Sequence, residues 1–467
     1  MQYTNSVIRK LVEDQRRFFK SGTTLDVSWR IKQLKKLKSL ILDNTALFQE
    51  ALKKDLGRCE TEAYMLDLCP AVIEINEIIH SLKRWARPEV HFSGLLCFPS
   101  MKTKVYKMPY GVTLIISPFN FPVLLTFGVL AASIAGGNTA VIKASSKSSA
   151  CTELFCNLVP KYFDKQFVTV VAGSHDVADI CLAQKFDKIF YTGSPNVGKK
   201  VLAAAAKNLT PVALELGGEN GNWAIVRSDA DIEDAARKIA FFKICNSGQI
   251  CIDVNQVAVA KDVAEEFIKA LKAEFVRQIG KNPLENNDYC HLINKDAFDR
   301  CITCVNSYRD RVVIGGKGNA ETLQFEPTVI YPIDIDDEVV QKELFSPVLP
   351  VVPFDDDKAD SLVDVISDRE HPLAMYVFSK NIKWAQRVMK NCQFGGGCIN
   401  EVCMHLMVKG VPFNGTGHSG MGAYHGVWGF REFTHPKTVL FGKTHCNLSL
   451  REHPYSDSKL KLIKLFH

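Results

Sequence analysis

Between residues 112 and 217 the chain alternates between short β-branched runs and stretches with apolar residues at helical spacing. VTLIIS (112–117) precedes a helix near 122–135, and TAVIKA (139–144) precedes one near 148–159. FVTVVAG (167–173) precedes a helix near 176–184, KIFYTG (188–193) precedes one near 196–206, and PVALELG (211–217) closes the series. Strands and helices alternating at this interval predict βαβ units and a largely parallel sheet, so the expected fold class is α/β. Ligands of such sheets bind beyond the carboxyl ends of the strands. Asn120, Lys143, Gly193, Ser194 and Glu215 all fall there.

A second alternating region follows. NWAIVR (222–227), a helix near 231–244, NQVAVA (255–260) and a helix near 262–279 begin it. Strands near 311–314, 328–331, 348–353 and 375–379 come next, then a helix near 381–390. GGGCIN (395–400) through the Gly-rich 410–429 reads as loop, and 445–467 as a polar tail. Before residue 112, the stretches 5–20, 26–56 and 60–86 read as three or four surface helices, and 88–109 as a hairpin.

At 467 residues the chain is too long for one compact unit, and two or three domains are expected. With 46% hydrophobic and 23% charged residues it has the composition of a soluble globular protein. Lys32, Lys35, Lys36 and Lys38 cluster in a helical pattern and read as a solvated face rather than a nucleic-acid surface. Fifteen cysteines, an odd number without framework spacing, point to a reducing compartment, here the cytoplasm. Cys301 and Cys304 form a C-x-x-C near His291, but no second pair at metal spacing follows, so no metal site is expected. The first residues lack the apolar core of a secretory signal. Residues 108–142 carry no charge and are long enough to cross a bilayer. Pro118, Pro122, Gly136 and Gly137 favour instead a strand, a turn and a buried helix.

Two motifs could carry chemistry. ELGG (215–218) puts a carboxylate at a strand end, and NSGQIC (246–251) puts a thiol at the end of a loop of small and polar residues. Such a pair can be a nucleophile and its general base, but each motif alone reads more readily as an ordinary turn or a buried cysteine. TGSPNVGKK (192–200) has Gly193 directly after a strand and Gly198 in the next helix, which would let backbone N–H groups approach a phosphate. It lacks the G-x-G-x-x-G spacing. Lys143, at another strand end, reads either as a ribose or phosphate contact or as a solvated charge.

Taken together, SPFNFP, VIK, YTGS, ELGG, NSGQIC, KELFSP (342–347) and PFNGTGHSGMGAYHG (412–426) closely resemble, in order and spacing, the aldehyde dehydrogenase superfamily. The ending, with SGMGAYHG and HPYSDSKLKLIKLF, looks most like its class 3 branch. The resemblance implies a Rossmann-type cofactor domain (1–87 and 110–217) and a catalytic domain (218–433). It also implies bridging elements (88–109 and 434–444) used in a homodimer, and a C-terminal tail. It makes Cys251 the nucleophile, Asn120 an oxyanion-hole donor and Glu215 the general base. Lys143, Gly193 and Ser194 match cofactor contacts, and Glu343 and Phe345 match residues that hold the nicotinamide ribose and ring. The implied activity is NAD(P)-dependent oxidation of a hydrophobic aldehyde, aliphatic or aromatic, with no nucleic acid or membrane partner. The competing readings are a CoA-acylating enzyme and a silent binding protein of the same fold.

Several positions depart from the family pattern. Ser146 stands where a glutamate usually engages the adenosine ribose; without that charge a 2′-phosphate is not repelled, so NADP should serve at least as well as NAD. Glu219-Asn220-Gly221 replaces a usual Lys-Ser-Pro, and Ser346 replaces a glycine. Phe119 fills a position often held by Trp, and Asn414 and His418 replace a glycine and an asparagine. His418 and His425 read as structural hydrogen-bonding groups or as lining of a substrate mouth, and Trp428 and Phe430 as packing.

Overall fold

A computed structural model describes residues 3–94, 97, 102–444 and 447–466. Its first sheet has six strands in the order Gly420–Met421, Val212–Leu216, Lys188–Gly193, Val112–Ile116, Thr139–Lys143 and Val168–Val171. All pairings are parallel except that of Gly420–Met421 on Val212–Leu216. The chain starts this sheet at Val112–Ile116, builds outward to Val168–Val171, then returns to build the other side from Lys188–Gly193. That reversal creates a topological switch point between Val112–Ile116 and Lys188–Gly193, where a ligand crevice opens beyond the carboxyl ends. Asn120 follows one of these two strands and Ser194 the other.

The charge-free stretch owes its composition to this sheet. Val112–Ile116 and Thr139–Lys143 are buried along their whole length, as strands covered on both faces are. The helix between them, Val129–Gly136, is buried all round and ends on Gly137 in the left-handed region, φ 92°. Among the described residues no helix is long and apolar enough to cross a membrane.

The second sheet has seven strands, ordered Val312–Ile314, Thr328–Ile330, Val348–Phe354, Gln256–Ala260, Trp223–Val226, Ala374–Phe378 and Gly396–Ile399. Only the edge strand Val312–Ile314 is antiparallel. The largest apolar core runs through both sheets. A smaller one fills the other face of the first sheet, where Ile8 and Val12 of helix Asn5–Lys20 meet Val201 and Leu214. A third, three-stranded sheet stands apart. Glu89–Phe92 pairs with Lys102–Pro109, which in turn pairs along its full length with Thr434–Phe441. The tip of the expected 88–109 hairpin, residues 95, 96 and 98–101, lies outside the described residues.

The structure corrects several boundaries. The 26–56 stretch is two helices, Val27–Leu42 and Thr45–Leu56, and Lys32, Lys35 and Lys36 of the first are exposed. The helix expected to end near 159 runs over Ser149–Tyr162. Helices Lys295–Ser307 and Ala359–Ser367 lie outside the expected elements. Residues 396–399, expected as loop, form a strand parallel to Ala374–Val377. The glycines hide it because they are required by crowding: a Cβ at Gly397 would come within 2.1 Å of the Met375 carbonyl oxygen. The Gly-rich 410–429 segment likewise contains strand Gly420–Met421 and the start of helix Gly426–Glu432.

Candidate active site

The NSGQIC loop leaves helix Ile232–Ile244 of the second sheet's layer and turns through three consecutive left-handed residues. Asn246, Ser247 and Gly248 have φ of 49°, 50° and 69°. Each of the two non-glycine residues costs about 1–2 kcal/mol, and the motif's own side chains offset this. Asn246 Nδ2 donates to the carbonyl oxygens of Asn120 (3.2 Å) and Gln249 (3.0 Å). Gln249 Nε2 donates to the carbonyls of Asn246 and His291, while its Oε1 accepts from the Ile293 amide. Ser247 Oγ donates to the Cys290 carbonyl at 2.6 Å. Gly248 must be glycine, because a Cβ there would meet the Ser346 carbonyl oxygen at 2.2 Å.

Asn120 is buried and its Nδ2 donates to the Gln249 carbonyl at 3.1 Å. An amide has two N–H donors, so one tethers Asn120 to the 246–251 loop and the other is left free. Among the described residues the Cys251 backbone amide makes no hydrogen bond. Behind both lies Arg58, fully buried, which sequence reasoning missed because nothing local distinguishes it from a surface arginine between helices. Its guanidinium donates to the Asn120 carbonyl, to Asn246 Oδ1 (3.2 Å) and to Asp67 Oδ2 (3.1 Å). Asp67 Oδ1 also accepts from the Leu124 amide. Burial pushes the Asp67 carboxyl up to about 6 against the opposing charge of Arg58. Arg58→Met strands that carboxyl, so it is expected to lower unfolding free energy by about 3–5 kcal/mol and to depress turnover. Chemical denaturation and kcat measure the two effects.

Cys251 and Glu215 face each other. Burial first, and the neighbouring carboxylates of Glu215 and Glu343 next, raise the Cys251 thiol well above its ordinary value, so the resting group is a protonated thiol. Burial raises Glu215 to about 7, with Cys251 and His425 opposing. Both Glu215 oxygens are buried without a hydrogen-bond partner. A carboxylate left this bare is free to exchange protons with a substrate group or water. Glu343, raised to about 8 by burial and then by Glu215, lies over Gly217, where a Cβ would meet its Oε1 at 2.1 Å.

The crevice at the switch point fits a dinucleotide. Ser117 Oγ and Thr192 Oγ1, at the ends of its two bounding strands, are buried without partners. Gly193 has φ 158°, and a Cβ there would meet the Tyr191 hydroxyl at 2.2 Å. Ser194 then stands at the N-cap position of helix Pro195–Ala206, its side chain making no capping bond. Lys143 is buried at the next strand end, its Nζ donating to the Ala144 carbonyl, and burial lowers its pKa. Ser146 is exposed and uncharged. Phe345, with φ 50°, meets Phe119 edge-on at 5.9 Å.

Two sequence departures prove to be partners. Glu219 Oε2 lies 2.8 Å from His418 Nδ1, and Glu219 Oε1 accepts from Lys199 Nζ at 3.2 Å. The Glu219 carbonyl accepts from the Glu343 amide, while Gly221, φ 65°, lets Asn255 approach and hold the Lys342 carbonyl and the Leu344 amide. The unusual Glu219-Asn220-Gly221 turn therefore fixes the segment that carries Glu343. His425 Nδ1 contacts Glu74 at 3.2 Å, and Trp428 Nε1 donates to the Gly410 carbonyl. Phe430 is buried.

An apolar cavity of about 240 Å3 ends at Cys251, walled by Phe121, Leu124, Phe242, Ile250, Met404 and Tyr424 among others. The Tyr424 hydroxyl is buried there without a partner. A larger cleft of about 860 Å3, lined by Arg58 and Glu62, lies behind the loop and does not reach Cys251. Cys301 and Cys304 sit on helix Lys295–Ser307, and among the described residues no three His, Cys, Asp or Glu side chains group as metal ligands would.

Known proteins resemble this chain along most of its length. The model of the aldehyde dehydrogenase family matches residues 1–439. Aldehyde dehydrogenase family 3 member H1 of Arabidopsis thaliana is 36% identical over 457 residues, covering 97% of this chain and 93% of its own. The mouse (Mus musculus) enzyme named "Aldehyde dehydrogenase, dimeric NADP-preferring" is 35% identical over 443 residues, covering 93% of this chain and 94% of its own. The solved structure "Substrate bound state of Staphylococcus Aureus AldH" superposes with a TM-score of 0.95 at 35% identity, over 100% of both chains. The motif order read from the sequence and the fold that carries it thus agree with these matches: the chain belongs to the aldehyde dehydrogenase family, in its class 3 branch, as an NAD(P)-dependent aldehyde dehydrogenase.

Proposed function

We propose that this enzyme oxidises hydrophobic aldehydes, aliphatic or aromatic, to carboxylic acids through a thiohemiacetal and then a thioester on Cys251. The observation that carries this reading is the apolar tunnel ending at a thiol that faces a buried, unpartnered glutamate. The Cys251 thiol must lose its proton to attack, and Glu215 is the group placed to take it. The oxyanion formed by attack lies between the free Asn120 N–H and the Cys251 backbone N–H, donors worth about 3–4 kcal/mol each in comparable sites. Bound nicotinamide supplies the hydride acceptor. Glu215 releases the thiol's proton to solvent before hydrolysis and, as a carboxylate again, takes a proton from water as it attacks the thioester. A bare carboxylate beside the thiol supports hydrolysis over transfer to CoA, and the presence of Cys251, Asn120 and Glu215 together supports turnover over a silent binding role.

The domain division expected above, with residues 1–87 and 110–217 carrying the cofactor and 218–433 the catalytic loop, accompanies this reading. So do Lys143, Gly193, Ser194, Glu343 and Phe345 as cofactor contacts. A cytoplasmic homodimer is part of the same proposal, supported by the exposed edge strand Glu89–Phe92 and by the word dimeric in the mouse relative's name. Ser146 supports use of NADP.

A panel of linear aldehydes with NAD or NADP, with and without CoA, tests these points. Each added methylene buried in the tunnel is worth about 0.8 kcal/mol, or roughly fourfold in kcat/KM, until the cavity is filled. A flat chain-length profile removes the hydrophobic-substrate reading, strict dependence on CoA removes hydrolysis, and a strong NAD preference removes the role given to Ser146.

A further inference from the structure

The tunnel that ends at Cys251 is walled by hydrocarbon and sulfur, with one exception. Among the described residues that line it, Tyr424 alone carries a side-chain oxygen. The rim methionines Met65, Met404 and Met407 are exposed, whereas Tyr424 and Phe413 are buried, so the phenol belongs to the closed end. Its ring is held on three sides, edge-on to Phe190 at 5.3 Å and to Phe413 at 5.5 Å and stacked on His425 at 4.3 Å. Its backbone is fixed as well, the amide and the carbonyl both bonding to Phe413. Cys403, the other thiol of the wall, is engaged by the Ile252 carbonyl and the Tyr376 hydroxyl. A buried hydroxyl aimed so firmly, yet making no hydrogen bond among the described residues, calls for a polar partner in use.

Glu215 comes to the same place by the alternation of its strand. Leu214 and Leu216 point into the smaller core, so Ala213 and Glu215 point to the opposite face, where Ala213 joins Phe190 and Tyr424 in the larger core. The segment leading to Tyr424 runs beside that strand, Gly420 pairing with Glu215 and Met421 with Leu214. Phenol, thiol and carboxylate therefore converge on the closed end of the tunnel. Burial first, then the neighbouring Glu215 and Cys251, raise the phenol well above its ordinary value, so it stays protonated and donates. A buried water needs about two to four polar partners. One that donates to Glu215 and accepts from Tyr424 has one lone pair held and the other left for a carbonyl carbon in the tunnel.

We propose that the Tyr424 hydroxyl, together with Glu215, holds the water that hydrolyses the thioester. The proposal rests on thioester formation at Cys251 with Glu215 as the base. In this step the water oxygen bonds to the acyl carbon while one of its protons passes to Glu215. The carbon–sulfur bond then breaks, and Glu215 gives the proton to the departing thiolate, with no change of oxidation state. Purified parent and Tyr424→Phe are mixed with a hydrophobic aldehyde and NAD or NADP, without CoA, and reduced nucleotide is followed by stopped flow and acid by chromatography. Phenylalanine keeps the ring and its aromatic neighbours and removes only an oxygen that has no partner in the resting protein, so the thermal midpoint should stay at or above the parent's. The first turnover should run at the parent rate, one equivalent of reduced nucleotide per site, with steady turnover lowered roughly tenfold by the loss of one hydrogen bond. Steady turnover equal to the parent's overturns the proposal. So does a first turnover slowed as much as kcat, which assigns the hydroxyl to thiol attack or hydride transfer. A parent that forms no acid from any aldehyde without CoA overturns the hydrolytic reading itself.

Discussion

Cys251→Ala is expected to abolish cofactor reduction, the first turnover included, by a factor on the order of 10^6, the scale on which removal of a catalytic nucleophile acts. The thiol is the atom that joins the tunnel to the chemistry, and nothing near it can substitute. Cys403, which shares the tunnel wall, is buried and raised well above its ordinary value by desolvation, and its Sγ is engaged with the Ile252 carbonyl. Serine at 251 should fail almost as completely, because a hydroxyl is not ionised by a carboxylate with a pKa of about 7. The loop geometry depends on Asn246, Ser247 and Gln249 rather than on Sγ, so the alanine variant should keep the parent's thermal midpoint and cofactor affinity. A stopped-flow trace showing a normal burst in Cys251→Ala would transfer the nucleophile's role elsewhere.

Glu215→Gln should separate the two halves of the reaction. One equivalent of reduced cofactor per site should still form, more slowly at low pH because the thiol has lost its proton acceptor. Steady turnover should fall about 10^2–10^4-fold, the usual contribution of a general base. The pH profile carries a second signature. Burial raises Glu215 to about 7; the base form is its deprotonated form, so parent kcat should rise with pH through about 7 and level off above it. The Gln variant should lack that limb. Parent and variant profiles that coincide would remove Glu215 from the base role.

The strand–helix alternation was legible because parallel strands covered on both faces must be written as continuous apolar runs, as VTLII and TAVIK are. The proposed reacting groups stand out for a different reason: Cys251, Glu215 and Asn120 sit in short segments whose polar residues have fixed structural duties. The side chains of Asn246, Ser247 and Gln249 are spent on holding the loop. What stayed hidden depends on long-range contact. Arg58 acts on Asn120 and Asn246, 62 and 188 positions away, and no local pattern encodes that. The strand 396–399 was hidden because crowding by His405 at Gly396 and Met375 at Gly397 demands glycine where strand propensity would ask for branched residues. The Glu219–His418 contact explains two departures that look unrelated in a linear reading, since each residue compensates for the other.

Arg58 also bears on the order of events in the proposed reaction. Asn120 belongs to the first sheet's layer and the 246–251 loop to the second's, yet bonds among Arg58, Asn120, Asn246 and Gln249 cross between them. Glu219, by contrast, meets Lys199 and His418 in partly exposed pairs. Breathing of the protein should therefore begin at such pairs and leave the Arg58-centred seam closed, so in the proposed reaction the reduced cofactor is expected to leave before the acyl group does.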